Sequence, residues 1–350
     1  MDQTFSLRQL RPEDGSAYAA LLAASPDTGS VGMAVHFEID PFQALLGLHS
    51  DTVGVVAETP GYTGLIGSGL IRFRSCQWDG QALPSALLNT LVVHPDFRRH
   101  GLASQLAKWR EDSARARFGE QGVIWAIIQS NNTGSERTAQ KWASQFLMHR
   151  LVTVSNKMRS NPPSSSGDFT VRPLQPDDFE TVVEQQNRFY QDYNLYPSET
   201  SASLSAWLTE TPFETPFRHY LVVTGKAGDI LAGFALAEIG RLRKTIITHL
   251  PPFLRLGNRL LHVLPPDGVL RELVISRAWF ASRQIEALRS LFETVRWEWR
   301  DRGTSLIFFA DVRSPLVELS AVRPWTGKTI ESFALRGPTL CSPDRLFYYA

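Results

Sequence analysis

Leu87-Leu88-Asn89-Thr90-Leu91-Val92-Val93-His94-Pro95-Asp96-Phe97-Arg98-Arg99-His100-Gly101-Leu102-Ala103 is the stretch on which the reading of this chain turns. Leu87 to Val93 has the apolar and β-branched content of a strand, and Pro95 ends it. Leu102, Leu106, Trp109 and Ala116 then recur near helical spacing, which gives a strand, a short turn and a helix start. A helix start presents unpaired backbone N–H groups and the positive end of the macrodipole, and together these hold an anion such as a diphosphate. The residue types in the turn suit that task. Arg98 brings a charged donor fork, and Gly101 lets the backbone approach a phosphate with no side chain between. Ala103 keeps the first helical turn close to the sheet, and Ser104 adds a hydroxyl. The plain alternative is an ordinary strand-to-helix turn with an exposed arginine pair.

Arg98-x-x-Gly101-x-Ala103, led in by Val93-His94-Pro95, resembles the acetyl-CoA motif Gln/Arg-x-x-Gly-x-Gly/Ala of the GNAT superfamily of N-acetyltransferases, which follows a Val-x-Pro strand end. The resemblance implies an α/β fold, a twisted mixed sheet flanked by helices, with acetyl-CoA as co-substrate and no metal. It assigns the cofactor to Leu91, Val92, Val93, Arg98, Arg99, His100, Gly101, Leu102, Ala103, Ser104 and Asn131. The strand carrying Leu91 to Val93 is expected to splay from the next parallel strand, so that pantetheine enters the gap beside the backbone of Leu91 and Val93. A backbone N–H near Val93 then polarises the thioester carbonyl, a preorganised donor worth roughly 3 kcal/mol in the transition state. Val123 to Ile128, within Gln121–Ser130, reads as that next strand, covered on both faces. Asn131-Asn132-Thr133-Gly134 reads equally as a pantetheine contact or as a helix cap. Glu136 to Phe146 reads as the following helix, with Ala143 where many family members carry a tyrosine acid, so the acid is unassigned.

Working outward, the chain repeats itself. Phe5-Ser6-Leu7-Arg8-Gln9-Leu10-Arg11-Pro12-Glu13-Asp14 recurs 164 positions later as Phe169-Thr170-Val171-Arg172-Pro173-Leu174-Gln175-Pro176-Asp177-Asp178. Leu88 to Val93 matches Leu270 to Ile275, and Val123 to Ile128 matches Ser305 to Ala310, both at an offset of 182. Two tandem units of this size are duplicated domains rather than a solenoid. They divide as 1–160, a linker at 161–168 rich in Pro and Ser, and 169–350. At the offset of 182, Phe280 replaces Arg98 and Arg283 replaces Gly101, which points to a degenerate second unit. The second half also gains a basic insertion, Ile239 to Pro266, with Arg241, Arg243, Lys244, Arg255 and Arg259 and no acidic residue. It reads as a partly solvated arm docked on a neighbour, or as a phosphate site.

The 350 residues are 43% hydrophobic and 20% charged, a globular composition with room for two cores. A net charge of +1 gives no global case for nucleic acid or a membrane surface. The start lacks a signal-like pattern and no segment approaches ~18 apolar residues, so a cytoplasmic protein is expected. Cys76 and Cys341 lie far apart, without metal-ligand spacing, and read as free core thiols. An internal pseudo-dimer acts as a monomer or associates further as a homodimer.

Acyl transfer to an amine needs a neutral nucleophile, and with an alkyl-ammonium pKa of ~10.4 deprotonation costs about 4.6 kcal/mol at pH 7. The position where family members often place a carboxylate falls near Leu87 or Asn89, neither of them acidic. Val31 to Asp40 alternates apolar and polar residues as a strand does, and Glu38 on its polar face is the candidate base, His36 a weaker one. The expectation is an acetyl-CoA-dependent N-acetyltransferase acting on a primary amine of a small molecule or peptide. The alternative is an inactive acyl-CoA-binding regulatory or scaffolding protein, motivated by the missing tyrosine and carboxylate.

Overall fold

The computed structural model describes residues 4–28, 32–130, 132–164, 168–252, 258, 264–320 and 327–349. In the N-terminal half the strands are β1 (Ser6–Gln9), β2 (Asp27–Thr28), β3 (Gly32–Phe37), β4 (Thr52–Glu58), β5 (Gly67–Trp78), β6 (Gln81–Val93), β7 (Val123–Gln129) and β8 (Gln145–Lys157). Its helices are α1 (Gly15–Ala24), α2 (Pro41–Leu48), α3 (Leu102–Phe118) and α4 (Thr133–Ala139). The C-terminal half adds β9 (Thr170–Pro173), β10 (Tyr193–Asn194), β11 (Arg218–Thr224), β12 (Ile230–Glu238), β13 (Arg243–His249), β14 (Val269–Leu270), β15 (Glu272–Phe280), β16 (Ser305–Asp311), β17 (Gly327–Arg336) and β18 (Leu346–Phe347). Its helices are α5 (Phe179–Phe189), α6 (Ser201–Thr209) and α7 (Ile285–Glu298).

The duplication is visible in the chemistry that opens each half. Arg8 pairs with Asp14 at 2.7 Å, and Asp14 also takes the N–H of Arg11 at 2.8 Å. Arg172 pairs with Asp178, which takes the N–H of Gln175 at 2.7 Å. In both, one carboxylate caps the turn and ties it to the first strand.

The two half-sheets fuse into one 12-stranded sheet, in the order β1-β4-β5-β6-β7-β17-β8-β16-β15-β12-β11-β9. Each half contributes five strands in series, and the sixth place is taken by a long strand of the other half. β17 lies antiparallel between β7 and β8, and β8 lies antiparallel against β16. A second sheet also crosses between the halves. β13, from the basic insertion, pairs with β3 over Arg243↔Phe37 to His249↔Gly32, so the insertion is an arm docked on the N-terminal half. Arg255 and Arg259 lie outside the described residues, as does Val31 at the head of the alternating stretch.

Apolar faces account for the layers. Leu102, Leu106 and Ala114 of α3 are buried against the sheet, whose Ile71, Ala86, Leu88, Ile124 and Ile128 meet Trp142 on the same side. The buried face continues through Arg110 and Ala114, with Ala116 turned to solvent. The helix expected over Glu136–Phe146 is shorter: α4 ends at Ala139, Trp142 is buried under the sheet, and by Gln145 the chain has entered β8. Burying the indole and pairing Ser144 N–H with Leu335 O outweigh helix continuation. Cys76 and Cys341 are both buried and free.

Candidate acyl-CoA site

Pro95–Phe97 makes one tight turn after β6, and the chain then reaches α3 through two left-handed residues, Arg99 (φ 68°) and Gly101 (φ 80°). Gly101 is the N-cap of α3. No side chain caps this helix, whereas Asp40 caps α2 through Gln43 N–H and Asn132 caps α4 through Ser135 N–H. Gly101 O takes the N–H groups of Ser104 and Gln105 at 3.0 and 3.2 Å, but no described acceptor takes those of Arg99, His100, Gly101, Leu102 or Ala103. A Cβ added at Gly101 meets nothing within 4 Å, so the cradle faces open space. Donors held outward at a helix N-terminus with room before them fit a diphosphate.

Flanking side chains add charge. Arg98 Nε donates to Val93 O at 3.1 Å, which fixes that side chain at the end of β6. Lys141 Nζ donates to Ser104 Oγ at 2.7 Å, bringing onto the first turn of α3 a cation that the sequence reading did not single out. His94 instead serves the turn itself: Nδ1 accepts Asp96 N–H at 3.4 Å, and the ring packs on Tyr62 and Phe97. Asn131 lies outside the described residues, and Asn132 is a helix cap.

Beside the turn, β6 and β7 pair in parallel only from Ser85↔Val123 to Leu87↔Trp125, although β6 runs on to Val93 and β7 to Gln129. Below that vertex Ser85 to Leu88 are buried, and above it Asn89 to Val93 are only partly covered or exposed. The strands therefore splay, with the gap leading from the vertex to the phosphate-type turn. A bulge sets the divergence. Thr90 has φ 47°, and the β5–β6 register shifts opposite it, between Ser68 and Leu70. Arg110 reaches from α3 to this bulge, donating to Asn89 O at 3.0 Å and Leu70 O at 3.4 Å. It is 4% exposed, and burial pushes its pKa down to about 10. Gly69 makes the space, since a Cβ there would stand 2.9 Å from Arg110 Cδ. The signal for Arg110 was present in sequence: a cation at a core-facing helical position between Leu106 and Ala114.

Glu38 follows β3 on the polar side, as expected, but its carboxylate is paired with Lys244 of the arm, and His36 Nε2 stands 3.9 Å away. A second carboxylate enters from the other half. Glu331 on β17 accepts from Thr153 Oγ1 at 2.9 Å and is the register partner of Gln129, and burial pushes its carboxyl up. His49 Nε2 meets Arg72 Nη1 at 2.8 Å, and burial, with the arginines around it, holds the imidazole well below its usual pKa. Among the described residues no group of three or more His, Cys, Asp or Glu is placed to hold a metal ion, and no helix is long and apolar enough to cross a membrane.

The corresponding region of the C-terminal half differs. Its bulge residue is Arg277 (φ 55°), opposite a register shift between Gly233 and Ala235, so it lies 187 positions after Thr90. The offset of 182 taken from sequence thus misaligns β15 with β6 by five residues. Residues 94–101 join β6 to α3, but only 281–284 join β15 to α7. The shortened connection has no room for the full turn, and its left-handed residue is Arg283 (φ 63°).

This arrangement, a parallel pair that splays at a bulge with a phosphate-type turn at its open end, is that of a GNAT-type fold. Residues 30–143 match the model of the acetyltransferase (GNAT) family. Among solved structures, Saccharomyces cerevisiae N-myristoyltransferase with bound myristoyl-CoA and inhibitors is similar over 95% of this chain and 80% of that one, with TM-score 0.64 and 10% identity. A GCN5-related N-acetyltransferase from Sphaerobacter thermophilus is similar over 97% of this chain and 98% of that one, with TM-score 0.60 and 15% identity. One from Kribbella flavida covers 95% and 71%, with TM-score 0.52 and 12% identity. Sequence comparison with curated proteins gives no match. The match to the acetyltransferase (GNAT) family lies within the N-terminal unit, and over the whole chain the fold is like that of these solved structures.

Proposed function

We propose that the protein is an acetyl-CoA-dependent N-acetyltransferase with one cofactor site, in the unit 1–160, acting on a primary amine of a small molecule or peptide. The observation that carries this reading is the uncapped N-terminus of α3, with its outward N–H groups beside an open β6–β7 splay. Bound acetyl-CoA supplies an activated acyl carbon. The chain's residues supply the rest. Arg99 to Ala103 offer backbone donors to the diphosphate, Arg98 and Lys141 add positive charge, and the β6 backbone near Leu91 lines the pantetheine arm.

A short acyl group is supported by the vertex. Trp125 is fully buried at the last paired position, with its ring against Phe333 at 6.2 Å and Tyr349 at 6.0 Å, and Leu87 beside it is 2% exposed. Trp142 fills the other face of the sheet at 6% exposed. An acyl chain longer than a few carbons meets packed aromatic side chains there. Calorimetric titration with acetyl-CoA, followed by thiol release with polyamines, amino acids and peptides, tests the proposal. One bound equivalent and release of free thiol are expected. Binding without release from any acceptor would favour a regulatory acyl-CoA binder, and no binding would overturn the site.

A further inference from the structure

We propose that Glu331, carried into the N-terminal sheet by the exchanged strand β17, is the general base that takes the proton from the acceptor amine. The inference rests on the acyl-transfer reading above. β17 lies directly against β7, and Glu331 pairs in register with Gln129, at the open end of the splay rather than at its vertex. Trp125 and Gln129 are separated by four residues, about 13 Å of strand, which sets Glu331 level with the upper gap and well clear of the packed floor. Alternation puts Glu331 on the sheet face of Phe333, and Phe333 packs with Leu87 and Trp125, away from α3. That is the side from which an acceptor meets a thioester held in the gap without crossing the cofactor helix.

The surroundings suit a base. Three elements face the carboxylate. β8 presents Thr153, whose hydroxyl bonds to it, and β7 presents the neutral Gln129. The C-terminal segment presents Tyr349, which itself lies in the field of Arg72 and Arg74 from β5 and of Arg243 from the arm. Among the described residues Glu331 forms no ion pair, whereas the carboxylate of Glu38 is taken by Lys244. Burial raises the carboxyl toward the working pH of a base. In the reaction one proton of the ammonium passes to Glu331, and the freed nitrogen lone pair bonds to the thioester carbonyl carbon. The C–S bond breaks, and the departing thiolate takes a second nitrogen proton. Glu331 then returns its proton to water. The C-terminal half is thereby needed for the chemistry of a cofactor site that it does not itself contain.

Carbodiimide coupling with glycine ethyl ester as the amine probe, read by peptide mapping, tests the placement without knowledge of the natural acceptor. Coupling at Glu331 that falls several-fold on saturation with CoA is expected. Glu331→Gln should bind CoA as the wild type does but lose about 100-fold in thiol release from acetyl-CoA with ethanolamine as the probe, together with the acid limb of its pH profile, and Glu331→Asp should recover part of both. Coupling indifferent to CoA, or a Gln variant with wild-type rate and pH profile, would overturn the assignment. Failure of the wild type to bind CoA would instead bring down the acyl-CoA reading beneath it.

Discussion

The two halves open the same gap and fill it differently. β15 and β16 pair in parallel only from Glu272↔Ser305 to Val274↔Ile307, and then part as β6 and β7 do. In the N-terminal half the gap stays partly exposed and ends at an uncapped helix. In the C-terminal half residues 347–349 line it. Leu346–Phe347 pairs with Tyr193–Asn194, Phe347 N–H donates to Asp311 at 3.1 Å, and Tyr348 packs on Tyr190 at 4.9 Å. Tyr348 is 5% exposed in the C-terminal core, and a buried ion pair, Arg277–Glu199 at 2.7 Å, lies at the bulge. A splay is thus a property of the strand bulge, and the proposed cofactor site further requires a connection to the next helix long enough to present backbone donors.

Substitutions probe that contrast, beginning with the largest effect. Gly101→Val puts a β-branched residue at φ 80°, with strain of about 1–2 kcal/mol and a side chain in the cradle, and acetyl-CoA affinity measured by calorimetry should fall about 100-fold or more. Arg283→Val should leave it unchanged, and equal losses would erase the distinction between the halves. Trp125→Ala should cost about 3–5 kcal/mol in denaturant unfolding and, where the protein still folds, raise the use of octanoyl-CoA relative to acetyl-CoA about 10-fold. An unchanged ratio would remove Trp125 as the floor. Tyr348→Ala should cost about 3 kcal/mol yet leave the CoA stoichiometry at one, because the shortened connection still lacks a cradle. A second bound equivalent would show that the C-terminal segment alone had closed the other gap.

Two smaller effects sharpen the picture. His49 has a folded pKa below its unfolded value, so the unfolded chain binds the proton first as pH falls below about 6.5. Stability should therefore be flat in this group above that pH and fall below it, by up to about 1.4 kcal/mol per pH unit, and the melting temperature of His49→Asn should lose that part of its acid dependence. Asp14→Asn and Asp178→Asn should each cost about 1 kcal/mol, since Arg8 and Arg172 are partly solvated and screened. A much larger loss from one than from the other would mean that the repeated opening motifs bear unequal weight.

How far the site was legible follows from how local its parts are. The strand, the turn and the helix start lie within 17 residues, and Pro95 and Gly101 act on the backbone where they stand, so pattern and turn chemistry located them. Arg110 was readable in principle as a cation interrupting an apolar helix face, but what it binds, the carbonyls of a bulge, depends on a register shift no periodicity reveals. Glu331 was out of reach, because its partner Gln129 is 202 positions away and ordinary alternation around it marks a strand without saying which strand lies beside it. The second half misled for a related reason. A constant offset fitted β7 and β16, while the residues missing before α7 slid β15 out of phase with β6.

The amino-acid sequence by itself determined the duplication, the identity of the half with the phosphate-type turn, and the backbone freedom at Gly101, since these follow from residue types interacting with their immediate neighbours. Only the tertiary structure decided that β8 and β17 change places, that the arm engages Glu38, and that Glu331 stands beside β7 at the level of the first gap. Strand exchange is settled by burial and hydrogen bonding summed over whole sheets, and those sums compare partners that the linear chain keeps far apart.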